Sequence, residues 1–336
     1  MPATVSVIIP AFNAAAFLGE ALDSVFAQSY QPKEIIVVDD GSDDETPQVM
    51  SAFAGRITYV HKQKGGPSSA RNAGIRTATG EWIAFLDADD IWMPDLLEKL
   101  FKAAAESAAD FAFGDVLILK NGSIVGPTFF ERHNLKGRHD IVAPNQTLIN
   151  PFSHLLEFDQ FILPSAVLVR RDALFAVELF DEDIYCAEDL DLWLRLALKY
   201  RFAIVNQVLV HRRIHARNLS RDPWVWRAGL ITVYEKLDRY ALTLASSTRW
   251  RKVLQKRKGA LLREHGACYL EIGELLLARK SWAKSFRATW SPRLAVYWLA
   301  TLLPQSWIET LCNRKRKFTS AGVCSGPPAG RLTDAD

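Results

Sequence analysis

Cysteine is scarce in this chain, which has only 4 in 336 residues. Cys186, Cys268, Cys312 and Cys324 are far apart, and no two of them have the CxxC spacing of a zinc or redox site. Small disulfide-stabilised domains carry cysteine at a much higher density. We therefore expect reduced thiols and exclude a disulfide framework. The histidines between residues 133 and 154 also lack the spacing of zinc ligands.

The chain also lacks a long uninterrupted apolar segment. Residues 2–9 run directly into a predicted strand, with neither a basic leader nor a long apolar core before it. The most apolar C-terminal stretch, Leu294–Cys312, is interrupted by Pro304 and Glu309. Because a spanning helix needs about 20 mostly apolar residues, we expect a cytoplasmic protein without a signal peptide or a transmembrane helix.

What the chain does have is a series of apolar strands that end in acidic or polar residues. The first three clear strands are predicted at residues 5–10, 34–38 and 82–86. Helical segments follow the first two, which predicts a parallel sheet, and ligands bind at the carboxyl ends of such strands. The loops that we expect to meet there are residues 10–13, 39–42 and 87–90. Farther along, the Asn121-Gly122 pair between two β-rich segments predicts a hairpin.

The third of these loops is crowded with acid. Asp87, Asp89 and Asp90 follow a buried strand within four positions. Carboxylates at this density repel one another and lose hydration, so Mg²⁺ or Mn²⁺ completed by the phosphate oxygens of a nucleotide would suit them. The alternative is that Asp90 or Asp95 only favours the start of the helix that Pro94 opens.

A second acidic cluster begins a predicted amphipathic helix. Glu188, Asp189 and Asp191 precede or accompany apolar residues at helical spacing, such as Leu190 and Trp193. A carboxylate here could act as a general base. The helix macrodipole, which favours anions in the first turn, would explain the same residues without any chemistry.

Five segments of the chain, taken in order, resemble the motifs of family 2 inverting glycosyltransferases. They are VSVIIPAFN (5–13), IIVVDDGS (35–42), GGPSSARNAGI (65–75), FLDADD (85–90) and AEDLDLWLR (187–195). The resemblance covers roughly residues 4–220. It implies an α/β GT-A fold, Rossmann-like, with a mostly parallel central sheet flanked by helices. It also implies a nucleotide-diphospho-sugar donor and a divalent metal, Mn²⁺ or Mg²⁺.

The resemblance also implies roles for single residues. Asp89, with Asp87 and His215, is expected to hold the metal. Asp189 is expected to be the general base that takes the proton of the acceptor hydroxyl, with Glu188 orienting it. The residues expected to bind the donor are Pro10, Ala11, Phe12, Asn13, Asp40, Gly41, Arg71, Asn72, Asp87, Ala88 and Arg213.

Purely structural roles are the alternatives for several of these positions. Phe12 could pack in the core, and Asp39 and Asp40 could cap the turn at Gly41. Arg71 could form a surface salt bridge. The VHRRIH segment (210–215) resembles the Y-R-x-H pattern that closes many family 2 domains, with a histidine where the pattern has an aromatic residue. Its basic residues could equally be a solvent-facing strand end.

The domain organisation follows from charge as well as from the motifs. The net charge is +3, yet residues 249–320 are strongly basic and contain tryptophans interleaved with lysine and arginine. We expect a catalytic domain at 1–220, a basic α-helical extension at 221–320, with helical spacing over 260–288, and a disordered tail at 321–336. The extension would either bind the inner face of an anionic membrane or pack as a cap on the catalytic domain, with its own charged residues in water. Nucleic acid is not expected, because no nucleic-acid motif accompanies the basic residues.

The expected function is transfer of a sugar, from a UDP-sugar, to an acceptor hydroxyl in surface polysaccharide or on a lipid-linked saccharide. A sugar nucleotidyltransferase is one alternative, but it should have a glycine-rich basic loop after the first strand, where this chain has PAFN. A non-catalytic nucleotide-binding protein of the same fold is another, and such a protein would have lost the acidic residues.

Overall fold

The computed structural model describes residues 3–135, 141–158, 161–215, 218, 222–241, 248–289 and 298–299. The chain divides into two compact units, residues 1–217 and 218–336. The predicted tail at 321–336 lies outside the described residues. Within the described part, no helix combines the length and the apolar character that a membrane crossing requires.

The first unit is built on a nine-stranded mixed sheet with the order β3-β2-β1-β4-β8-β6-β9-β5 and with β7 paired to β6. The strands are β1 (Val5–Ala11), β2 (Glu34–Asp39), β3 (Thr58–His61), β4 (Trp82–Phe85), β5 (Ile91–Trp92), β6 (Phe111–Lys120), β7 (Ser123–Ile124), β8 (Val167–Arg170) and β9 (Phe202–Arg213). The helices are α1 (Ala15–Phe26), α2 (Thr46–Ser51), α3 (Pro67–Thr77), α4 (Leu96–Ser107), α5 (Phe129–Arg132), α6 (Pro151–Phe158), α7 (Arg171–Ala176) and α8 (Glu188–Ala197).

The parallel half of the sheet confirms the strand-helix-strand prediction. β1 pairs in parallel with β2 on one side and with β4 on the other, so the carboxyl ends of all three lie at one edge. The middle residues of these strands are mostly apolar and buried, because helices cover both faces of such a sheet. α1 contributes Leu18, Ala21, Leu22 and Val25, all buried, at the three-and-four spacing of one helix face.

The other half of the sheet depends on β8, which lies antiparallel to both β4 and β6. β6 in turn runs parallel to β9. The predicted hairpin is present, because β6 and β7 pair around Asn121 and Gly122. Both of these residues have positive φ, 51° and 76°, as a tight two-residue hairpin turn requires.

α3 begins at Pro67 after Gly66, and no side chain caps its start. Proline at the first helical position needs no hydrogen-bond partner for its nitrogen, which makes a side-chain cap less necessary there. The predicted helical extension is confirmed, and the helical spacing over 260–288 is divided between two helices of the second unit.

The second unit contains α9 (Pro223–Ala241), α10 (Thr248–Glu271) and α11 (Leu275–Ala288). The chain turns between the last two at Gly273, whose φ of 86° favours glycine. Trp282 of α11 is buried and its indole N–H donates to the carbonyl of Arg263 in α10, 3.0 Å away. The second unit is therefore a helical module with its own small core.

Two helical glycines of the first unit provide a test of packing. A Cβ on Gly74 would lie 2.4 Å from Cγ2 of Ile8, so α3 contacts β1 too closely for any side chain there, whereas a Cβ on Gly19 meets nothing within 4 Å. We predict that Gly74→Ala lowers the free energy of unfolding by about 1 to 3 kcal/mol, because overpacking forces the backbone apart. Gly19→Ala is the control and should raise it by about 0.5 to 1 kcal/mol. Urea denaturation measures both, and an unchanged midpoint for Gly74→Ala would contradict the close packing.

Candidate functional site

The loops after β1 and β2 are joined directly. The amide of Asn13 donates to Oγ of Ser42 at 3.0 Å, and the amide of Asp43 donates to Oδ1 of Asn13 at 3.0 Å. Gly41 has a φ of 77°, which agrees with the predicted tight turn. These loops therefore meet at the edge of the sheet where the sequence places them.

Arg71 connects two acidic segments that are distant in the chain. Its guanidinium donates to Oδ1 of Asp87 and to Oε1 of Glu188, each at 2.7 Å, and the side chain is buried. The alternative of a surface salt bridge is therefore wrong. The two carboxylates raise the pKa of Arg71 although burial opposes this, so it is always charged. The start of α8 thus lies beside the loop that follows β4.

Burial dominates the electrostatics at the start of α8. It raises the pKa of Glu188 to about 7, although the nearby Arg71 opposes the shift, and the charge of Asp189 adds to it. Asp189 is also buried, and its Oδ1 accepts a hydrogen bond from the amide of Leu190 at 2.8 Å. Asp191 has a structural partner, because it forms an ion pair with Arg195 at 2.6 Å within the same helix.

Asn72 of α3 forms hydrogen bonds with the loop before α8. Its Nδ2 donates to the carbonyl of Phe180 at 2.9 Å and to Oε1 of Glu182 at 2.8 Å, while its Oδ1 accepts from the amide of Phe180 at 3.0 Å. The side chain is buried. Its observed contacts are therefore structural, and its predicted contact with a donor stays a prediction.

The acidic loop after β4 contacts the segment just after β9. Oδ2 of Asp89 lies 2.8 Å from Nε2 of His215. The imidazole stacks on the ring of Phe17 in α1, with 4.7 Å between centroids and 18° between planes. Burial raises the pKa of Asp89, and the charge of Asp87 adds to this effect. Ala88, between the two acids, is buried.

Arg213 is directed toward α1. Its guanidinium forms an ion pair with Glu20 and lies 5.5 Å from the centroid of the Phe17 ring. The side chains of Arg213 and His215 are only 14% and 23% exposed, so these residues are not a solvent-facing strand end.

Asp40 and Asp39 hold different parts of the site. The carboxylate of Asp40 accepts from the amides of Gly65 and Gly66 at 2.9 and 2.7 Å and forms an ion pair with Lys62 at 2.7 Å. It therefore closes the loop before α3, and neither Lys62 nor this closure was found from the sequence. A contact of Asp40 with a nucleobase stays a prediction.

Asp39 is a second residue that the sequence reasoning did not assign to the site. It is fully buried at the end of β2, and it accepts hydrogen bonds from the amide of Ser42 at 2.9 Å and from the hydroxyl of Tyr59 at 2.7 Å. These hydrogen bonds lower its pKa even though burial opposes the shift. The available signal was its place as the last residue of a buried strand.

Phe12 does not pack in the core. Its side chain is 42% exposed, and Nζ of Lys64 lies 4.0 Å from the centre of its ring. The preceding residues belong to β1, where Pro10 is half-buried and Ala11 is buried. Phe12 therefore offers an accessible aromatic face at the edge where the loops converge.

The residues at this edge fit a divalent cation that takes part of its ligands from outside the protein. Among the described residues, no group of three or more histidine, cysteine or acidic side chains has a metal-holding arrangement. Asp89 and His215 supply one oxygen and one nitrogen at close distance. Burial raises the pKa of Asp89, and a cation beside it would favour the ionised carboxylate. Mn²⁺ and Mg²⁺ suit such a site when phosphate oxygens and water complete their ligands.

Comparison with known sequences identifies a family. Residues 6–143 match the family model described as Glycosyl transferase family 2. The chain is 37% identical over 249 residues to glycosyltransferase GlyG of Streptococcus pneumoniae, an alignment that covers 70% of this chain and 80% of GlyG. It is 33% identical over 233 residues to an uncharacterised glycosyltransferase of Rickettsia felis, covering 68% of this chain but only 36% of that relative. The chain thus spans about a third of the length of some relatives.

Comparison with solved structures confirms the GT-A fold. S. aureus TarS 1–349 in complex with UDP-GlcNAc matches with a TM-score of 0.63 at 18% identity, over 94% of this chain and 92% of that one. The mannosyltransferase PcManGT from Pyrobaculum calidifontis, in complex with GDP-Man and Mn²⁺, matches with a TM-score of 0.55 at 21% identity, over 95% and 84% of the two chains. At these identities the likeness concerns the fold.

The raised pKa of Glu188 predicts a pH dependence of stability. Between pH 4.5 and about 7 the folded protein keeps a proton on Glu188 that the unfolded chain has lost. The native state therefore binds more protons than the unfolded state, and stability from this group falls as pH rises through that window. Relative to Glu188→Gln, the parent protein should lose on the order of 1 to 3 kcal/mol of unfolding free energy as pH rises through this window. Above it the difference between the two proteins should stay constant. Urea titrations of both proteins at several pH values measure the difference, and a flat difference would contradict the shift.

Proposed function

Because this chain belongs to glycosyltransferase family 2, we propose that it transfers a sugar from a UDP-sugar to an acceptor hydroxyl with inversion at the anomeric carbon. One observation carries the proposal. Arg71 joins Asp87, in the loop after β4, to Glu188 at the start of α8, so the expected donor-binding and acceptor-activating segments lie side by side. TarS has been solved with UDP and with UDP-GlcNAc, which supports a nucleotide-sugar donor of this kind.

The donor would bind across the loops of the parallel strands. Phe12 offers its exposed ring to the base, and Asp40 and the backbone around Gly41 lie next to it in the loop after β2. Asp87 would reach the ribose. Asp89 and His215 would hold the cation, and Arg71 and Arg213 supply fixed positive charge nearby. When bound, a divalent cation neutralises negative charge that develops on the leaving diphosphate.

The acceptor would be activated at the start of α8. Asp189 takes the proton of the acceptor hydroxyl as that oxygen attacks the anomeric carbon from the side opposite the diphosphate. Glu188, held by Arg71, orients this segment. A positioned base typically contributes about 10² to 10⁴ in rate. Attack from the opposite side inverts the configuration, so an α-linked donor gives a β-linked product.

The two other functions considered are less well supported. A sugar nucleotidyltransferase would need a basic glycine-rich loop after β1, and the chain has Ala11, Phe12 and Asn13 there. A non-catalytic protein of this fold would have no reason to keep acidic residues buried at a cost. Burial of carboxylates such as Glu188 and Asp189 is expensive and is typical of functional sites.

Substitution of two acidic residues tests the assigned roles. Asp89→Asn should weaken Mn²⁺-dependent donor binding at least tenfold, because a cation ligand is lost. Asp189→Asn should leave donor affinity within about twofold and reduce transfer by 10² or more, because only the base is lost. Calorimetric titration with UDP-sugars and GDP-mannose, together with slow donor hydrolysis in the presence of Mn²⁺, measures both effects and identifies the donor.

The control is Asp95→Asn, because Asp95 is half exposed and forms a local ion pair with Lys99 in α4. It should change neither donor affinity nor transfer. Equal donor affinity of Asp89→Asn and the parent would refute the metal assignment. A product whose linkage keeps the donor configuration, seen by NMR, would refute Asp189 as the base.

We further propose that the second unit brings the enzyme to an anionic membrane on its cytoplasmic side, where the acceptor would be a growing surface polysaccharide or a lipid-linked saccharide. The exposed face of α11 carries Lys280, Lys284 and Arg287 on successive turns, together with Leu276, which is 71% exposed. Cations on an amphipathic surface attract anionic headgroups, each contributing about 1 kcal/mol.

Vesicle flotation tests this proposal. The protein should float with vesicles that contain phosphatidylglycerol and remain unbound with phosphatidylcholine alone. Reversing two charges, Lys280→Glu with Arg287→Glu, should weaken binding at least tenfold, because two attractive interactions become repulsive and the net charge falls by four. The control reverses two lysines on α4 of the first unit, the half-buried Lys99 and the exposed Lys102, in Lys99→Glu with Lys102→Glu. Equal binding of both double variants would contradict a role for α11.

A further inference from the structure

Asp90, the last acid of the crowded loop, lies under the site rather than in it. Its side chain is buried, with only 2% of the residue exposed. Oδ2 accepts a hydrogen bond from the hydroxyl of Ser165 at 2.6 Å, and Oδ1 accepts one from the backbone amide of Arg213 at 3.2 Å. Both carboxylate oxygens are therefore engaged by the protein itself.

Ser165 lies in a short 3₁₀ helix, Pro164–Ala166, just before β8, and it is fully buried. Its Oγ accepts a hydrogen bond from the amide of Asp87 at 3.1 Å while donating to Asp90. Its carbonyl accepts from the indole N–H of Trp92 at 2.7 Å. One serine thus contacts the first residue of the acidic loop, the last residue of that loop and the strand that follows it.

These hydrogen bonds hold the end of β9 close to the acidic loop. Asp90 is the neighbour of Asp89, and Arg213 is two residues before His215. The hydrogen bond from the Arg213 amide to Asp90 therefore ties the end of β9 to the acidic loop at the point next to the contact between Asp89 and His215. The hydrogen bond from the amide of Asp87 to Oγ of Ser165 fixes the other end of the loop.

We infer that Asp90 and Ser165 form a positioning pair that sets the geometry of Asp89 and His215 for a divalent cation, and that Asp90 is not itself a ligand. The inference rests on the proposed function, because it concerns the cation of that site. Groups that orient ligands in this way typically affect metal affinity by about 10- to 100-fold.

Hydrogen exchange tests the pair in the metal-free protein. The amides of Asp87 and Arg213 should be protected in the parent. In Ser165→Ala the Asp87 amide should exchange at least tenfold faster, because its acceptor is removed, and in Asp90→Ala the Arg213 amide should do the same. Residue-resolved NMR measures this. Unchanged exchange at both amides would overturn the inference, whether or not the protein binds Mn²⁺.

Metal affinity, measured by EPR of free Mn²⁺, separates positioning from direct ligation. Asn at position 90 can still accept from Arg213 and can donate to the serine hydroxyl, so Asp90→Asn should stay within about threefold of the parent. Asp90→Ala and Ser165→Ala should each bind Mn²⁺ about tenfold more weakly. If Asp90→Asn loses as much affinity as Asp89→Asn, then Asp90 is a ligand and the inference fails.

Leu174→Ala is the control for general destabilisation. Leu174 is fully buried in α7, which follows β8 at the sheet edge opposite the acidic loop. Its removal should cost about 2 to 5 kcal/mol of stability and leave Mn²⁺ affinity unchanged. A parent protein that does not bind Mn²⁺ would refute the metal part of the proposed function, while the exchange experiment would still decide whether the pair holds the loop.

Discussion

The guanidinium of Arg71 lies between two carboxylates that are 16 and 117 residues away in the chain. It is buried, so its positive charge depends on these two groups for compensation, with Glu188 mostly ionised only above about pH 7. Removing one partner of a buried ion pair typically costs about 3 to 5 kcal/mol, because the remaining charge has no compensation. This contact therefore holds the loop after β4 and the start of α8 together, and the rest of the site is arranged around it.

Negative charge is crowded along this edge of the sheet, and each carboxylate there has different partners. Asp40 has Lys62 and two backbone amides, and Asp39 has hydroxyl and amide donors. Asp90 has Ser165. At Asp89 and Asp90 burial outweighs these partners, because it raises the pKa of Asp89 although His215 lies next to it and raises the pKa of Asp90 well above its usual value. Asp90 is buried, whereas the side chain of Asp89 is 26% exposed, and Asp89 is where a cation is proposed to bind.

Much of the fold was predictable, since it follows from local pattern. The apolar strands, the hairpin at Asn121-Gly122 and the acidic ends of β2 and β4 follow from periodicity and turn chemistry. The contacts of Asn72 with Phe180 and of Ser165 with Asp90 were not predictable, because they join residues 108 and 75 positions apart through the antiparallel insertion of β8. A single serine or asparagine in a sequence carries no sign of its partner. The break at Gly273 was missed because helical spacing continues on both sides of it.

Asp89 and His215 are proposed to share one divalent cation with the diphosphate of the donor. Pulsed EPR of Mn²⁺ bound to the enzyme with a UDP-sugar tests this most directly, because it detects magnetic nuclei near the metal. We predict couplings to both ¹⁴N and ³¹P, with the nitrogen coupling lost in His215→Gln. A spectrum with phosphorus coupling but no nitrogen coupling would contradict the assignment of His215, and one with neither would contradict the shared cation.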